Sequence, residues 1–199
     1  MVVDVTNSPS LDDDAVVVFF EASASNIAKA DVGAGVRHKV ALSIVGVDRL
    51  SEGGYFRAKI AQEKIIEDAP VPFTIVRATQ FFEFIGGIAQ RATEGNAVHL
   101  PPVFFQPIAA HEVVGFLART SVGPPVNGVV EIASPTTHRL DQLVREYVGT
   151  RGDLRQVVTD INAPYSGARL DEGTLLPAGK VTLGLIVFDD WLNLSSVAP

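Results

Sequence analysis

The stretch from His38 to Arg77 decides the fold. It reads His38-Lys-Val-Ala-Leu-Ser43, then a longer segment from Gly53 to about Ala69 (GGYFRAKIAQEKIIEDA), then Phe73-Thr-Ile-Val-Arg77. The two short pieces are nearly continuous apolar runs, as expected of strands buried on both faces. Between them, apolar residues recur at helical spacing. Strand, helix and strand over this length predict two parallel strands joined by a helical crossover.

Working outward, the same alternation continues on both sides. Val2, Val3 and Val5 form a short β-branched run that ends in the turn-forming Thr6-Asn7-Ser8-Pro9-Ser10. Leu11 to about Ala34 reads as a helix, with Asp12, Asp13 and Asp14 where the macrodipole favours acids and Gly33 and Gly35 closing it. A further helix is expected from Thr79 to about Thr93. Repeated strand and helix predict an α/β protein with an open parallel sheet and flanking helices. After Gly95 the character changes: Pro101-Pro102, Pro107, Pro124-Pro125 and Pro135 punctuate shorter elements. Helices are expected at His111–Thr120 and Leu140–Val148, a strand at Gly128–Ala133, and a small helix at Asp189-Asp190-Trp191-Leu192. The organisation is read as a single domain over 1–199, with a Rossmann-type catalytic half (1–94) followed by the remaining strands and a small irregular cap (95–199).

Composition narrows the function. The 199 residues carry Lys+Arg 16 against Asp+Glu 23, a formal net charge of -7 with no basic cluster, which disfavours a nucleic-acid partner. Cys 0 removes thiolate zinc sites, Cys nucleophiles and disulfides, and fits a cytoplasmic setting. The N-terminus lacks the basic start of a signal peptide, and no apolar run approaches the ~20 residues of a membrane span. No two of His38, His99, His111 and His138 are spaced i, i+4, so no metal site is expected. Gly33-Ala-Gly35 is a helix terminus, because His38 stands where a dinucleotide fingerprint needs its third glycine.

The chemistry concentrates in Tyr55-Phe-Arg-Ala-Lys59. On one helix the phenol and the ammonium share a face, and a nearby ammonium lowers a tyrosine pKa toward the range useful for proton transfer. Ser43 lies twelve residues earlier at a strand end, where a hydroxyl hydrogen-bonds the carbonyl oxygen that the tyrosine protonates. Phe81, Phe82 and Phe84 follow the Phe73–Arg77 strand. They have two readings: core packing, or the apolar wall of a site at the C-terminal ends of the strands. With Ser43 and Tyr55 they are expected to line one cleft, closed by Pro101–Gln106 and suited to a small, mostly apolar substrate.

With these segments in this order, residues 1 to about 150 resemble the short-chain dehydrogenase/reductase superfamily, in its atypical NmrA-like branch. The resemblance rests on Val2-Val-Asp-Val-Thr-Asn7, Ala34–Ser43, Tyr55–Lys59, Phe73–Phe82 and Gln106-Pro-Ile-Ala-Ala-His-Glu-Val-Val. It implies NAD(P) as cofactor and hydride transfer to a small carbonyl, enone or quinone-like substrate. Tyr55 is then the general acid/base, Lys59 binds the nicotinamide ribose and tunes Tyr55, and Ser43 orients the carbonyl. Asn7, Ser8 and Pro9 would lie along the cofactor, Arg77, Ala78 and Thr79 would pass the nicotinamide, and Asn26 would support the centre. Ala78 stands where many relatives have proline. Because the branch includes members without redox activity, a dinucleotide-sensing or interaction protein is a second reading. Non-redox acid/base chemistry by Tyr55 and Ser43 without a nucleotide is a third.

Family members open with a strand, a glycine-rich turn and a helix that hold the adenine half of the dinucleotide. This sequence is read as beginning at the family's fourth strand, an N-terminally truncated Rossmann-type fold. Val2, Val3 and Val5 then form an unpaired edge blunted only by Asp4, and a homodimer through that edge is expected.

Overall fold

In the computed structural model, which describes residues 1–10, 12–50 and 52–197, the expected crossover unit is present. Strand β1 (Val2–Asp4) leads to helix α1 (Asp13–Gly33), β2 (Lys39–Ile44), α2 (Gly54–Asp68) and β3 (Phe73–Ala78). The chain continues through α3 (Ile85–Arg91), β4 (Thr93–Glu94), β5 (Ala97–Leu100), β6 (Phe104–Phe105) and α4 (Ala110–Val122). It ends with β7 (Gly128–Ala133), β8 (His138–Arg139), α5 (Leu140–Thr150), β9 (Gln156–Thr159), β10 (Val181–Leu183) and α6 (Phe188–Val197). The principal sheet has the order β1-β2-β3-β7-β10, with every neighbouring pair parallel.

Local sequence explains the boundaries. Asp12 caps α1, its carboxylate accepting from the Asp14 and Ala15 amides at 3.3 and 3.1 Å, while Asp13 and Asp14 occupy the first turn. Leu11 lies outside the described residues. The chain leaves α1 through Gly35 at φ 62°, a left-handed position natural to glycine. Helices α1 and α2 pack together on one face of the sheet, and their N-termini touch: the Gly54 amide donates to Asp13 Oδ1 at 2.9 Å. The opposite face carries α4, whose Val113 and Leu117 bury against Val40, Val76 and Ile132. A larger core joins Phe82, Phe105 and Leu140 to Phe188 and Leu192 of the last helix.

Three expectations change. Helix α3 starts at Ile85, not Thr79, because the backbone keeps strand pairing after β3: the Thr79 amide donates to Ile132 and Phe82 pairs with Ile108. A short 3-10 turn, Phe82–Phe84, then precedes the helix. The region after Gly95 is more regular than its prolines suggest, with β4-β5-β9 and β6-β8 forming two small sheets. Asp4 does not blunt the edge of β1. It points inward, buried, and pairs with Lys39 at 3.7 Å. Among the described residues no helix is long and apolar enough to cross a membrane.

Candidate functional site

Parallel strands present their C-terminal ends at one rim of the sheet, where open α/β folds hold ligands. That rim carries Asn7 after β1, Ser43 near the end of β2, and Thr79 just after β3. Tyr55 reaches the rim from the first turn of α2, held edge-on against Phe20 and Phe56 at ring separations of 5.9 and 6.2 Å. Its hydroxyl donates to Asn7 Oδ1 at 3.1 Å. The Asn7 side chain, expected along a cofactor, is thus a partner of the phenol. Among the described residues, Ser43 Oγ is buried and finds no hydrogen-bond partner, so the expected bond between Ser43 and Tyr55 is not formed. Thr79 Oγ1 is likewise buried and unpartnered.

Lys59 is buried and bonded within the chain. It is only 3% exposed and donates to the Leu42 carbonyl at 2.8 Å and to Gln62 Oε1, with its ammonium 4.9 Å from the centre of the Phe20 ring. Burial lowers its pKa to about 8, against the pull of the Asp4 and Glu63 carboxylates. Tyr55 moves the other way from the sequence expectation. Burial raises the phenol pKa above its ordinary value. A shared helix face places the two groups on one side of α2, but the lysine ammonium bonds the Leu42 carbonyl and the Gln62 side chain, while the phenol bonds Asn7.

Gln62 extends this buried polar line. Its Nε2 donates to Asp4 Oδ2 at 3.4 Å, and Asp4 also accepts from the Thr6 amide and hydroxyl. Lys39 joins Asp4 to Asp31 of α1, bonded at 3.0 Å. Sequence reasoning missed Gln62, Asp31 and the inward Asp4; the available signal was a lone aspartate inside an apolar strand. A buried carboxylate needs partners, and α1, α2 and β2 supply them.

The remaining expected residues divide. Arg77 is bound by Glu63 at 3.0 and 2.7 Å and by Asp48 at 2.8 Å. Against the cost of burial, these partners raise its pKa further. Its guanidinium is therefore committed within the chain. Ala78 is buried against the α4 face, Ser8 accepts from the Ser10 amide at 3.2 Å, and Pro9 and Asn26 are exposed. Phe82 is fully buried against Phe188 and Trp191 at 5.6 and 5.4 Å, as in the core-packing reading. Phe81 and Phe84 stack at 5.2 Å, and Phe84 is exposed. Pro101–Gln106 is tied to other elements: Phe104 and Phe105 pair with Arg139 and His138, and Gln106 donates to the Ser134 carbonyl at 2.7 Å. A cavity of about 400 Å³ lies between α5 and β9, and one of about 150 Å³ lies beside Arg91 and His99; neither is lined by Tyr55 or Ser43. Among the described residues no group of three or more His, Cys, Asp or Glu could hold a metal ion.

No protein-family model matches this chain, and no curated protein matches it. Solved structures do. WbmH of Bordetella bronchiseptica, in complex with NAD+, is 15% identical with a TM-score of 0.69, covering 96% of this chain and 72% of that one. TunA, an NAD-dependent NDP-hexosamine 5,6-dehydratase involved in tunicamycin biosynthesis, is 14% identical with a TM-score of 0.66, covering 96% and 74%. The NADPH-dependent quinone oxidoreductase QOR2 of Escherichia coli is 17% identical with a TM-score of 0.65, covering 93% and 80%. The class defined is a Rossmann-like α/β fold, and the similar proteins are nucleotide-dependent enzymes.

Proposed function

We propose that the chain is an atypical short-chain reductase that delivers a proton from Tyr55 to the oxygen of a small carbonyl, enone or quinone-like substrate. One observation carries the reading: the Tyr55 hydroxyl sits on Asn7 at the end of β1, and the neighbouring strand β2 offers a buried, unpartnered Ser43 hydroxyl. A buried hydroxyl without a partner is uncommon, and a substrate oxygen would satisfy it. Ser43 then orients the carbonyl and Tyr55 donates the proton, with Asn7 holding the phenol until the substrate arrives. Burial keeps Tyr55 protonated, which suits the acid role in reduction.

The unpartnered Thr79 hydroxyl, just after β3, fits the hydrogen-bonding carboxamide of the nicotinamide end of a dinucleotide. Bound there, NAD(P)H would supply the hydride that complements the proton from Tyr55. The acid-rich first turn of α1 does not suit a diphosphate, since Asp12, Asp13 and Asp14 crowd that terminus. The committed state of Arg77 and the buried Lys59 favour a second reading, a dinucleotide-sensing or interaction protein without turnover.

Calorimetric titration with NADH and NADPH tests the first reading. Heat from one of them is expected, and heat from neither at millimolar cofactor overturns it. Tyr55→Phe should keep the cofactor and lose about 10²- to 10⁴-fold in turnover. Cofactor binding with no turnover in the parent chain supports the sensor.

A further inference from the structure

A carboxylate inside an apolar strand is unfavourable unless its oxygens are paired or hydrogen-bonded. Asp4 stands in β1 between Val3 and Val5, and its side chain is only 1% exposed. Its two oxygens serve different parts of the molecule. Oδ1 accepts from the Thr6 amide at 3.1 Å and from the Thr6 hydroxyl. These bonds fix the turn by which the chain leaves β1, and the next residue is Asn7, whose Oδ1 takes the Tyr55 hydroxyl. Oδ2 accepts from Gln62 Nε2 at 3.4 Å and lies 3.7 Å from the Lys39 ammonium. Gln62 Oε1 in turn accepts from the Lys59 ammonium.

The two arms meet a need that α2 cannot meet alone. Tyr55 and Lys59 ride on that helix, whereas Asn7 lies on the chain leaving β1, so their separation is set by whatever ties the turn to the sheet. Asp4 is held in the sheet by its pairing with Ala41 of β2. The charges also balance here. Asp4 and Asp31 are joined through Lys39 and Gln62 to Lys59, two buried carboxylates with two buried ammoniums. Glu63, the other carboxylate that favours the Lys59 ammonium, is bonded to Arg77.

We propose that Asp4 is the positioning residue of the candidate site: through Thr6 it sets Asn7 against the Tyr55 hydroxyl, and through Gln62 it fixes the Lys59 ammonium. Being buried, it acts through these residues and not on a substrate. Its effect on turnover rests on the reductase reading, whereas its hold on Tyr55 and Lys59 does not. The arms are cut one at a time. Thr6→Val removes the hydroxyl and leaves the amide bond, and Thr6→Ser restores the hydroxyl without the methyl group. In Asp4→Asn the remaining oxygen still accepts from Thr6. The new NH2 group, however, opposes the Gln62 amide and the Lys39 ammonium, donor against donor.

Nuclear magnetic resonance of the chain with isotope-labelled tyrosine and lysine tests both arms without a ligand. The ring signal of Tyr55, assigned by its loss in Tyr55→Phe, should move in Thr6→Val and return to the parent position in Thr6→Ser. A signal that stays in place in Thr6→Val overturns the first arm. The Lys59 signal, assigned by its loss in Lys59→Met, should titrate at about 8 in the parent and lower in Asp4→Asn, where one of the carboxylates favouring the ammonium is gone. An unchanged or raised midpoint overturns the second arm. If Asp4→Asn does not fold, Asp4→Asn with Lys39→Gln removes a cation along with the anion, and the same fall is expected relative to Lys39→Gln alone. Where the parent chain turns over, Thr6→Val should lower kcat about tenfold with the KM for cofactor unchanged, and Thr6→Ser should recover it. An unchanged kcat in Thr6→Val overturns the positioning role in turnover. A parent chain that neither binds cofactor nor turns over overturns the reductase reading, and the Tyr55 and Lys59 signals then decide what Asp4 holds.

Discussion

Lys59 is the residue whose titration departs most usefully from the ordinary. Its folded pKa of about 8 lies below the ordinary lysine value of 10.5, because burial disfavours the ammonium. Between those values the unfolded chain binds more protons than the folded one, so the Lys59 contribution to stability rises as pH increases through the window. Below about pH 8 the full penalty of a buried cation is present, on the order of 3 kcal/mol from the size of the shift. Tyrosine ionisation near pH 10 acts in the opposite direction, so the test is a difference. The stability of the parent chain relative to Lys59→Met, from urea unfolding, should improve by about 2 kcal/mol between pH 8 and pH 10. A gap that does not move with pH would show that Lys59 titrates as a solvated lysine. The sequence placed Tyr55 and Lys59 on one helix face correctly, but it could not say which way the lysine would turn. That depended on the Leu42 carbonyl and Gln62, brought near by packing of α2 on β2.

At the scale of elements, the contact between α1 and α2 is set at their N-termini. A Cβ added at Gly54 would meet the backbone of Asp13, with the Asp13 carbonyl oxygen at 2.6 Å, and backbone does not yield as a flexible side chain does. Gly54→Ala should therefore destabilise the chain by about 1–3 kcal/mol, read as a fall in the denaturation midpoint at constant slope. It should also disturb the Tyr55–Asn7 bond, because Tyr55 is the next residue along α2. No loss of stability would mean that the helices separate at little cost. Sequence reading found both helices and their boundaries within one or two residues. It could not find the crossing, because glycine before a helix is ordinary punctuation until a second backbone is known to press on it.

At the scale of the whole molecule, the C-terminal helix closes the core around Phe82. Phe188 is fully buried between Phe82, His138 and Trp191, and Glu83 accepts from both the Ala110 amide and Trp191 Nε1. Phe188→Ala should cost about 3–5 kcal/mol by opening a cavity there. Trp191 is the single tryptophan, so its fluorescence reports the event directly: a red shift in the folded variant is expected. Unchanged emission with unchanged stability would show that α6 contributes no packing to this core.

The sequence by itself determined the alternation of strand and helix from Val2 to Arg77, the parallel sheet it implies, and the placing of Tyr55 and Lys59 on one helix. These follow from periodicity and capping, which act over a few residues. Tertiary structure alone decided the rest. It turned Asp4 inward, because the Lys39 ammonium and the Gln62 amide converge there from β2 and α2. It committed Arg77 to Glu63 and Asp48, which lie 14 and 29 positions away. It put Phe82 in the core by folding α6 back from more than a hundred residues on. It left Ser43 without a partner and gave the Tyr55 hydroxyl to Asn7. A side chain's partner is fixed by whichever group the assembled chain brings within about 3 Å, and local pattern carries no record of that distance.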